Sequence, residues 1–276
     1  MIVPLPSFDV ALVLRVGGDV LYSHGDLDRV FPLASVTKPI VAWSVLVAVD
    51  RGLTTLDAPA GPPGSTVRHL LSHASGLPFE GRRPAAAPGK RRIYSNEGFD
   101  VLGQLLEDVT GMEIDRWVKQ VIFDPLGMAS ARIPGSPAYA GVASAADLSL
   151  FGAELARPTL VSEPLAALAA MSQFPALAGV VPGYGRFTPC PWGLGVEIRG
   201  EKAPHWSAPD ASARTIGHFG QAGSFVWADR DLAASACFVG EEPFGRWHRE
   251  NWSSLNASLL ETVRSCSSVG VAGGEG

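Results

Sequence analysis

Cysteine is scarce: three in 276 residues, at positions 190, 237 and 266. Their odd number and wide spacing give no disulfide framework and no metal-ligand pattern, which suits a reducing compartment. Charge is thin as well, at 18% of residues with a net of -5. That balance argues against nucleic acid or an anionic membrane as a main partner. No run of about 18 apolar residues escapes a breaker, so no spanning helix is expected. The N-terminus has neither a basic start nor a sustained apolar stretch before a small-residue cleavage site, and the expectation is a cytoplasmic protein without a leader. Internal repeats and heptads are missing. His69 and His73 are four apart, but position 70 is Leu, so the base of an H-E-x-x-H zinc site is lacking. The glycine-rich stretches GGDV and GQAGS lack the Lys-Ser/Thr of a phosphate loop. Neither a metal nor a cofactor is expected.

What is present is apolar. Residues of that class make up 46% of the chain, enough for one large domain or two interleaved lobes. Residues 10–23 read as a hairpin around Gly17-Gly18-Asp19. A helix opens near Ser35 and runs to about Arg51, with Gly52 as its stop. A loop-rich stretch follows, with a short helix at residues 67–72. Phe99, Leu102, Leu105, Leu106 and Val109 lie on one face of a helix that starts at Asn96 and ends at Gly111. Ile114, Trp117, Val118 and Val121 mark the next helix, which stops before Pro125. Ser144 to Asp147 resembles a capping box ahead of Leu148, Phe151 and Leu155, and another short helix begins at Ser162. From Trp192 on, short β-like runs alternate with turns, and a helix at residues 252–263 closes the chain. The expected fold is thus α/β (α+β): an antiparallel sheet flanked by helices, with an all-helical insertion. It forms a single domain over residues 1–264. Its sheet lobe comes from about 1–60 and 190–264, its helical lobe from 61–189, and 265–276 form a disordered tail.

Lysine is rare, four against 18 arginines, which makes the position of one of them informative. Lys38 stands three residues after Ser35 at the mouth of an apolar helix, and residues three apart share a helix face. Serine alone is a poor nucleophile and needs an adjacent base. A lysine in a poorly solvated site loses its preference for the charged form and can take a proton. The helix N-terminus adds orphan N–H groups able to stabilise an oxyanion. By itself S-x-x-K is weak, expected by chance in roughly a third of such chains. Two later elements, Tyr94-Ser95-Asn96 and His218-Phe219-Gly220, each have a bland reading as a helix cap and a strand-edge turn.

Taken together and in order, S-x-x-K, Y-x-N and H-x-G resemble the serine β-lactamase and penicillin-binding-protein superfamily, in particular its class C-like branch of β-lactamases, esterases, D,D-peptidases and D-aminopeptidases. LLSHASGLP at residues 70–78 and FDPLGM at residues 123–128 are similar to further segments of that branch. The resemblance extends from about Val10 to Val263. It implies a β-lactamase/transpeptidase-like fold and a covalent acyl-enzyme mechanism. By resemblance Ser35 is the nucleophile and Lys38 activates it. Tyr94, as phenolate or through a hydrogen-bond relay, shuttles protons. Asn96 holds the substrate and the lysine, and His218, Gly220 and Gln221 belong to the substrate side. The N–H groups of Ser35 and Gln221 form the oxyanion hole.

One departure is informative: His218-Phe219-Gly220 stands where many β-lactamases carry K-T-G or K-S-G. A neutral histidine and a phenyl ring offer a substrate carboxylate less than a lysine and a hydroxyl. The expected substrate is therefore a small neutral ester, or an amide. The alternatives are a D-amino-acid amidase or peptidase, a weak β-lactamase, or a non-catalytic ligand-binding protein that keeps the fold. His205-Trp206 and Trp192 are candidates for the pocket lining or for packing on the sheet, and Arg82, Arg83, Arg91 and Arg92 for a solvated loop near the site or a mobile lid.

Overall fold

The computed structural model describes residues 4–271. In chain order these form β1 (Val10–Val16), β2 (Asp19–His24), β3 (Val30–Pro32), a 3-10 turn (Ala34–Val36) and α1 (Thr37–Asp50). Next come α2 (Val67–Leu71), α3 (Glu97–Thr110), α4 (Ile114–Val118), a π-helical turn (Lys119–Phe123) and α5 (Asp124–Leu126). After these come β4 (Val142–Ser144), α6 (Ala145–Ala156), α7 (Glu163–Ala169), β5 (Gly179–Val181) and β6 (Gly185–Phe187). The C-terminal part consists of β7 (Glu197–Ile198), β8 (Ile216–Gly220), β9 (Ser224–Asp229), β10 (Ala234–Gly240) and α8 (Arg246–Val271).

Six strands form one antiparallel sheet in the order β2-β1-β10-β9-β8-β7. The first hairpin therefore pairs with the last strand, and the two ends of the chain make one sheet. Side chains of a strand alternate between faces. Leu12, Leu14, Phe225, Trp227, Ala236 and Phe238 pack on one face with Trp252, Leu255 and Leu259 of α8. Ala11, Val13, Val226, Ala228, Cys237 and Val239 pack on the other with α1 and α6. Both faces are covered, which explains why these strands are apolar almost throughout.

The antiparallel sheet and its flanking helices match the expected fold class. Within residues 61–189 the helices are accompanied by short strands: β4, which pairs with β3 from the N-terminal part, and the β5–β6 pair. Elements of three residues leave no periodic signal in a sequence. The β3–β4 pair matters for the site, because it laces the turn before β4 to the segment that leads into Ser35. Ser144 caps α6 by accepting the Asp147 N–H at 3.2 Å. The reciprocal half of a capping box is absent, because the Asp147 carboxylate accepts from Ser130 N and Oγ instead. The last helix is longer than expected and takes in residues 265–271 of the expected tail, no proline interrupting it there. Residues 272–276 lie outside the described residues. No described helix is long and apolar enough to cross a membrane.

The opening of α1 is irregular, as Pro39 demands. The 3-10 turn runs directly into the α-helix, and Pro39 falls in the first turn, where a missing N–H has no helical partner to lose. From Thr37 to Ala48 every residue of α1 is buried. The helix is seated by the chain just before β7, where Gly195 donates to Leu71 O at 3.0 Å. Gly195 has φ +85° and a Cβ there would lie 1.9 Å from Ala42 Cβ. Replacing Gly195 by Ala is expected to cost about 2–5 kcal/mol, combining left-handed strain with overpacking. Urea unfolding measures this, and an unchanged midpoint would show that α1 is free to shift.

Candidate active site

The 3-10 turn presents Ser35 at the end of α1, and Lys38 follows on the same face. Lys38 Nζ lies 3.3 Å from Ser35 Oγ, 2.7 Å from Asn96 Oδ1 and 2.9 Å from the Ala138 carbonyl. The ammonium also sits 4.7 Å from the centre of the Tyr94 ring and 5.7 Å from that of Phe99. Lys38 is fully buried. Burial pushes its pKa down to about 7, against the opposing pull of Asp100.

Ser95 caps α3 from just upstream: its Oγ accepts the Gly98 N–H at 2.9 Å and donates to Pro78 O at 2.6 Å. Its own N–H goes to His73 Nδ1 at 3.2 Å. His73 packs against Tyr94, Phe99 and Trp192, so this buried ring holds the turn that carries Tyr94 and Asn96. Burial, followed by Lys38 and His218, keeps His73 well below its usual range and therefore neutral.

His218 projects from β8. Its Nδ1 is 2.6 Å from the Phe219 carbonyl, which can only accept, so Nδ1 carries the proton. Burial and then Lys38 push the His218 pKa down to about 4, leaving Nε2 as an acceptor at neutral pH. The Tyr94 hydroxyl, 3.3 Å away, donates to it. Tyr94 also meets the Ser35 side chain, but burial drives its pKa above the usual phenol range, and it stays a neutral phenol. Ser35, Lys38, Tyr94, Asn96 and His218 thus converge.

Gln221 lines the same cavity as Ser35, whereas Gly220 lies behind it. A Cβ at Gly220 would come within 2.3 Å of Leu33 O and 3.2 Å of Ala34 Cβ. Glycine here lets β8 close against the turn that bears Ser35. Ser224 Oγ donates to the same Leu33 carbonyl at 2.7 Å. Ala34, directly before the nucleophile candidate, has φ +44°, a left-handed conformation that costs a non-glycine residue of order 1–3 kcal/mol.

The cavity beside Ser35 measures about 140 Å³ and is walled by Phe79, Val181, Pro182, Trp192 and Phe219, with Tyr94, His218, Gln221 and Glu197. Sequence reasoning missed Glu197. Its carboxylate bonds Lys202 Nζ at 2.9 Å, His205 Nε2 at 3.2 Å and Trp206 Nε1 at 2.8 Å. Burial alone would raise its pKa, but Lys202 and His205 outweigh that and hold it below the usual carboxylate range. Of the aromatic candidates, Trp192 lines the cavity, while His205 and Trp206 support Glu197 from behind. The arginine group also divides. Arg92 is buried and donates to the carbonyls of Ser72, Gln173, Phe174 and Cys190, so it staples the loop from inside. Arg82 is exposed and pairs with Glu97 at 3.3 Å.

The β-lactamase family model matches residues 9–240. The chain belongs to the β-lactamase family. A β-lactamase structure from Mycobacterium bovis is similar over nearly the whole fold, with a TM-score of 0.91 and 44% identity over 92% of this chain and 95% of that one. Esterase EstB of Burkholderia gladioli is 34% identical over 43% of this chain and 45% of its own length. Penicillin-binding protein 4* of Bacillus subtilis (strain 168) is 27% identical over 46% of this chain and 38% of its own. The chain thus spans less than half the length of these two curated relatives. Members of this β-lactamase family include serine hydrolases named as esterases and as peptidases.

The buried amine of this β-lactamase-family site has a thermodynamic signature. Lys38 titrates near 7 when folded and near 10.5 as a free side chain. The unfolded chain therefore holds one more proton between those values, and stability rises with pH across that window. Below it both states are protonated and the contribution is at its lowest. Compared with Lys38→Met, which cannot titrate, the wild type is expected to gain relative stability from pH 7 to about pH 10. Urea titrations at pH 6, 7.5 and 9 test this, and a constant difference would show that Lys38 keeps its ordinary pKa.

Proposed function

We propose that the protein is a serine hydrolase that cleaves small uncharged esters through a covalent acyl-enzyme on Ser35. The observation that carries this reading is a fully buried Lys38 whose Nζ lies 3.3 Å from Ser35 Oγ and whose pKa falls to about 7. A base poised near the working pH is partly free to accept a proton. Lys38 takes the Ser35 proton as Oγ attacks the ester carbonyl. The Ser35 and Gln221 N–H groups receive the developing oxyanion, and such donors are typically worth about 2.7–4 kcal/mol each. Tyr94, a neutral phenol between Ser35 and His218, passes a proton to the departing alkoxide and is recharged from the Lys38 side. Water then attacks the acyl carbonyl, and the same groups return the proton to Ser35. Asn96 holds Lys38 through Oδ1, which leaves its NH2 for a substrate oxygen.

The lining supports an uncharged acyl group. Among the described residues that line the cavity none is Lys or Arg, and His218 is neutral. A substrate carboxylate would have to leave water with no permanent cation to receive it, a costly transfer. This favours esters over β-lactams and over peptides recognised through a C-terminal carboxylate. The volume is close to the ~150 Å³ of an apolar cavity that accepts one benzene, so an acyl group of benzoyl or butyryl size fits and a long chain does not.

The expected outcome is turnover of p-nitrophenyl butyrate and benzoate, weak turnover of the decanoate, and weaker turnover of the succinate monoester. Mass spectrometry should find the acyl adduct on the tryptic peptide containing Ser35. Ser35→Ala should lower kcat by roughly 10⁴-fold or more. Folded protein with neither turnover nor adduct would sink the enzyme reading, and the succinyl ester as best substrate would overturn the uncharged-substrate reading alone.

A further inference from the structure

We propose that Asp100 and Ser136 are positioning residues for Lys38: through Ser136, Asp100 holds the turn whose Ala138 carbonyl Lys38 meets and brings a carboxylate to the lysine's cage. This rests on the reading of Lys38 as the base for Ser35. Asp100 lies four residues after Asn96, one turn along α3, so the two residues share a face. Ser136 Oγ donates to Asp100 Oδ1 at 2.6 Å and accepts the Ala138 N–H at 3.1 Å. The carbonyl of that same Ala138 accepts from Lys38 at 2.9 Å. The far end of the turn is pinned separately, as Gly141 donates to Thr37 Oγ1 and accepts from Leu33 N–H. Pro137 packs against α3 at Gly103, where a Cβ would sit 2.7 Å from the proline ring. One acidic side chain on α3 thereby orders the turn that completes the lysine's cage.

The groups facing Lys38 are few. Tyr94 and Asn96 come from the segment just ahead of α3, His73 from just past α2, His218 from β8 and Ser35 from its own turn. Burial keeps Tyr94, His73 and His218 in their neutral forms. Asp100 is the anion that acts on Lys38 against the effect of burial. Its other side borders an outer groove shared with Glu97, Asp108 and Arg82, and Arg82 pairs with Glu97 there. A neutral amine has two N–H donors for three oxygen partners, so a lysine that lost its proton too readily would give up one of these bonds. Asp100 sets a compromise in which Lys38 stays anchored yet can still act as a base.

Charge and scaffold can be separated by experiment. Asp100→Asn keeps an oxygen for Ser136 but removes the charge. Ser136→Ala keeps the charge but releases the Ala138 amide, and Ser136→Thr restores the hydroxyl. The readout is the pH profile, from 5 to 9, of Ser35 labelling by a fluorophosphonate, with melting curves as a check on folding. For Asp100→Asn the acid limb should move down by roughly 0.5 pH unit, because the lysine then deprotonates more easily. Ser136→Ala should label about tenfold more slowly, and Ser136→Thr should recover most of that loss. Asp100→Ser provides a second uncharged variant should Asp100→Asn fold poorly. An unmoved acid limb in a folded, uncharged variant overturns the charge role, and wild-type labelling by Ser136→Ala overturns the scaffold role. Lys38→Met separates the two levels. If it labels as fast as wild type, the base reading itself fails; if it loses the limb while Asp100→Asn leaves the limb unmoved, only the present inference fails.

Discussion

A lysine amine with no water around it is the constraint on which the rest of the site depends. Transfer of an ammonium out of water is costly unless it is paired and hydrogen-bonded. Lys38 meets the cost with three oxygen partners, from Ser35, Asn96 and Ala138, and two aromatic rings. Those partners come from three separate parts of the chain, so the amine cannot be housed until the 3-10 turn, α3 and the turn before β4 have all docked. The partial compensation leaves the amine near its titration point, which is the property a base needs. Full compensation would restore an ordinary, permanently charged lysine, and none would expel it from the interior.

Close backbone approach is the second requirement, and it explains two glycines better than any contact with substrate. Gly220 allows β8 to press against Leu33 and Ala34, setting the edge of the sheet beside Ser35. Gly195 allows the chain ahead of β7 to lie on α1 at Ala42. The C-terminal strands are thus held close to α1 and to the turn before it at two points. The short β3–β4 pair works in the same way, since it ties the turn carrying Ala138 to the strand that precedes Ser35.

The walls of the cavity then decide what chemistry can enter. A frame that positions Ser35, Lys38 and Tyr94 is compatible with esters, amides and lactams alike. His218 is buried and neutral, and its proton is committed to the Phe219 carbonyl, so it gives Tyr94 an acceptor and gives a substrate no charge. Glu197 is charged but held by Lys202, His205 and Trp206. What remains accessible is mostly aromatic and aliphatic surface.

Much of this was legible without coordinates. The short apolar runs and turn residues of the terminal strands, the one-sided apolar spacing of α3, and the ordered trio of S-x-x-K, Y-x-N and H-x-G are local or ordinal signals, and they point to the sheet, the helices and five converging side chains. Glu197, Asp100, Ser136 and the Ala138 carbonyl were not legible. A lone carboxylate in a two-residue strand looks like a surface residue until Lys202 and the indole of Trp206 are seen around it. A backbone carbonyl carries no residue identity at all. A basic run gives no hint of which member turns inward, and Arg92 does so while Arg82 stays in solvent. Residue identity and local pattern establish which groups are available and how each element is built. Which groups are dried, paired or left neutral emerges only on folding, because desolvation and long-range hydrogen bonds depend on packing together segments more than a hundred residues apart.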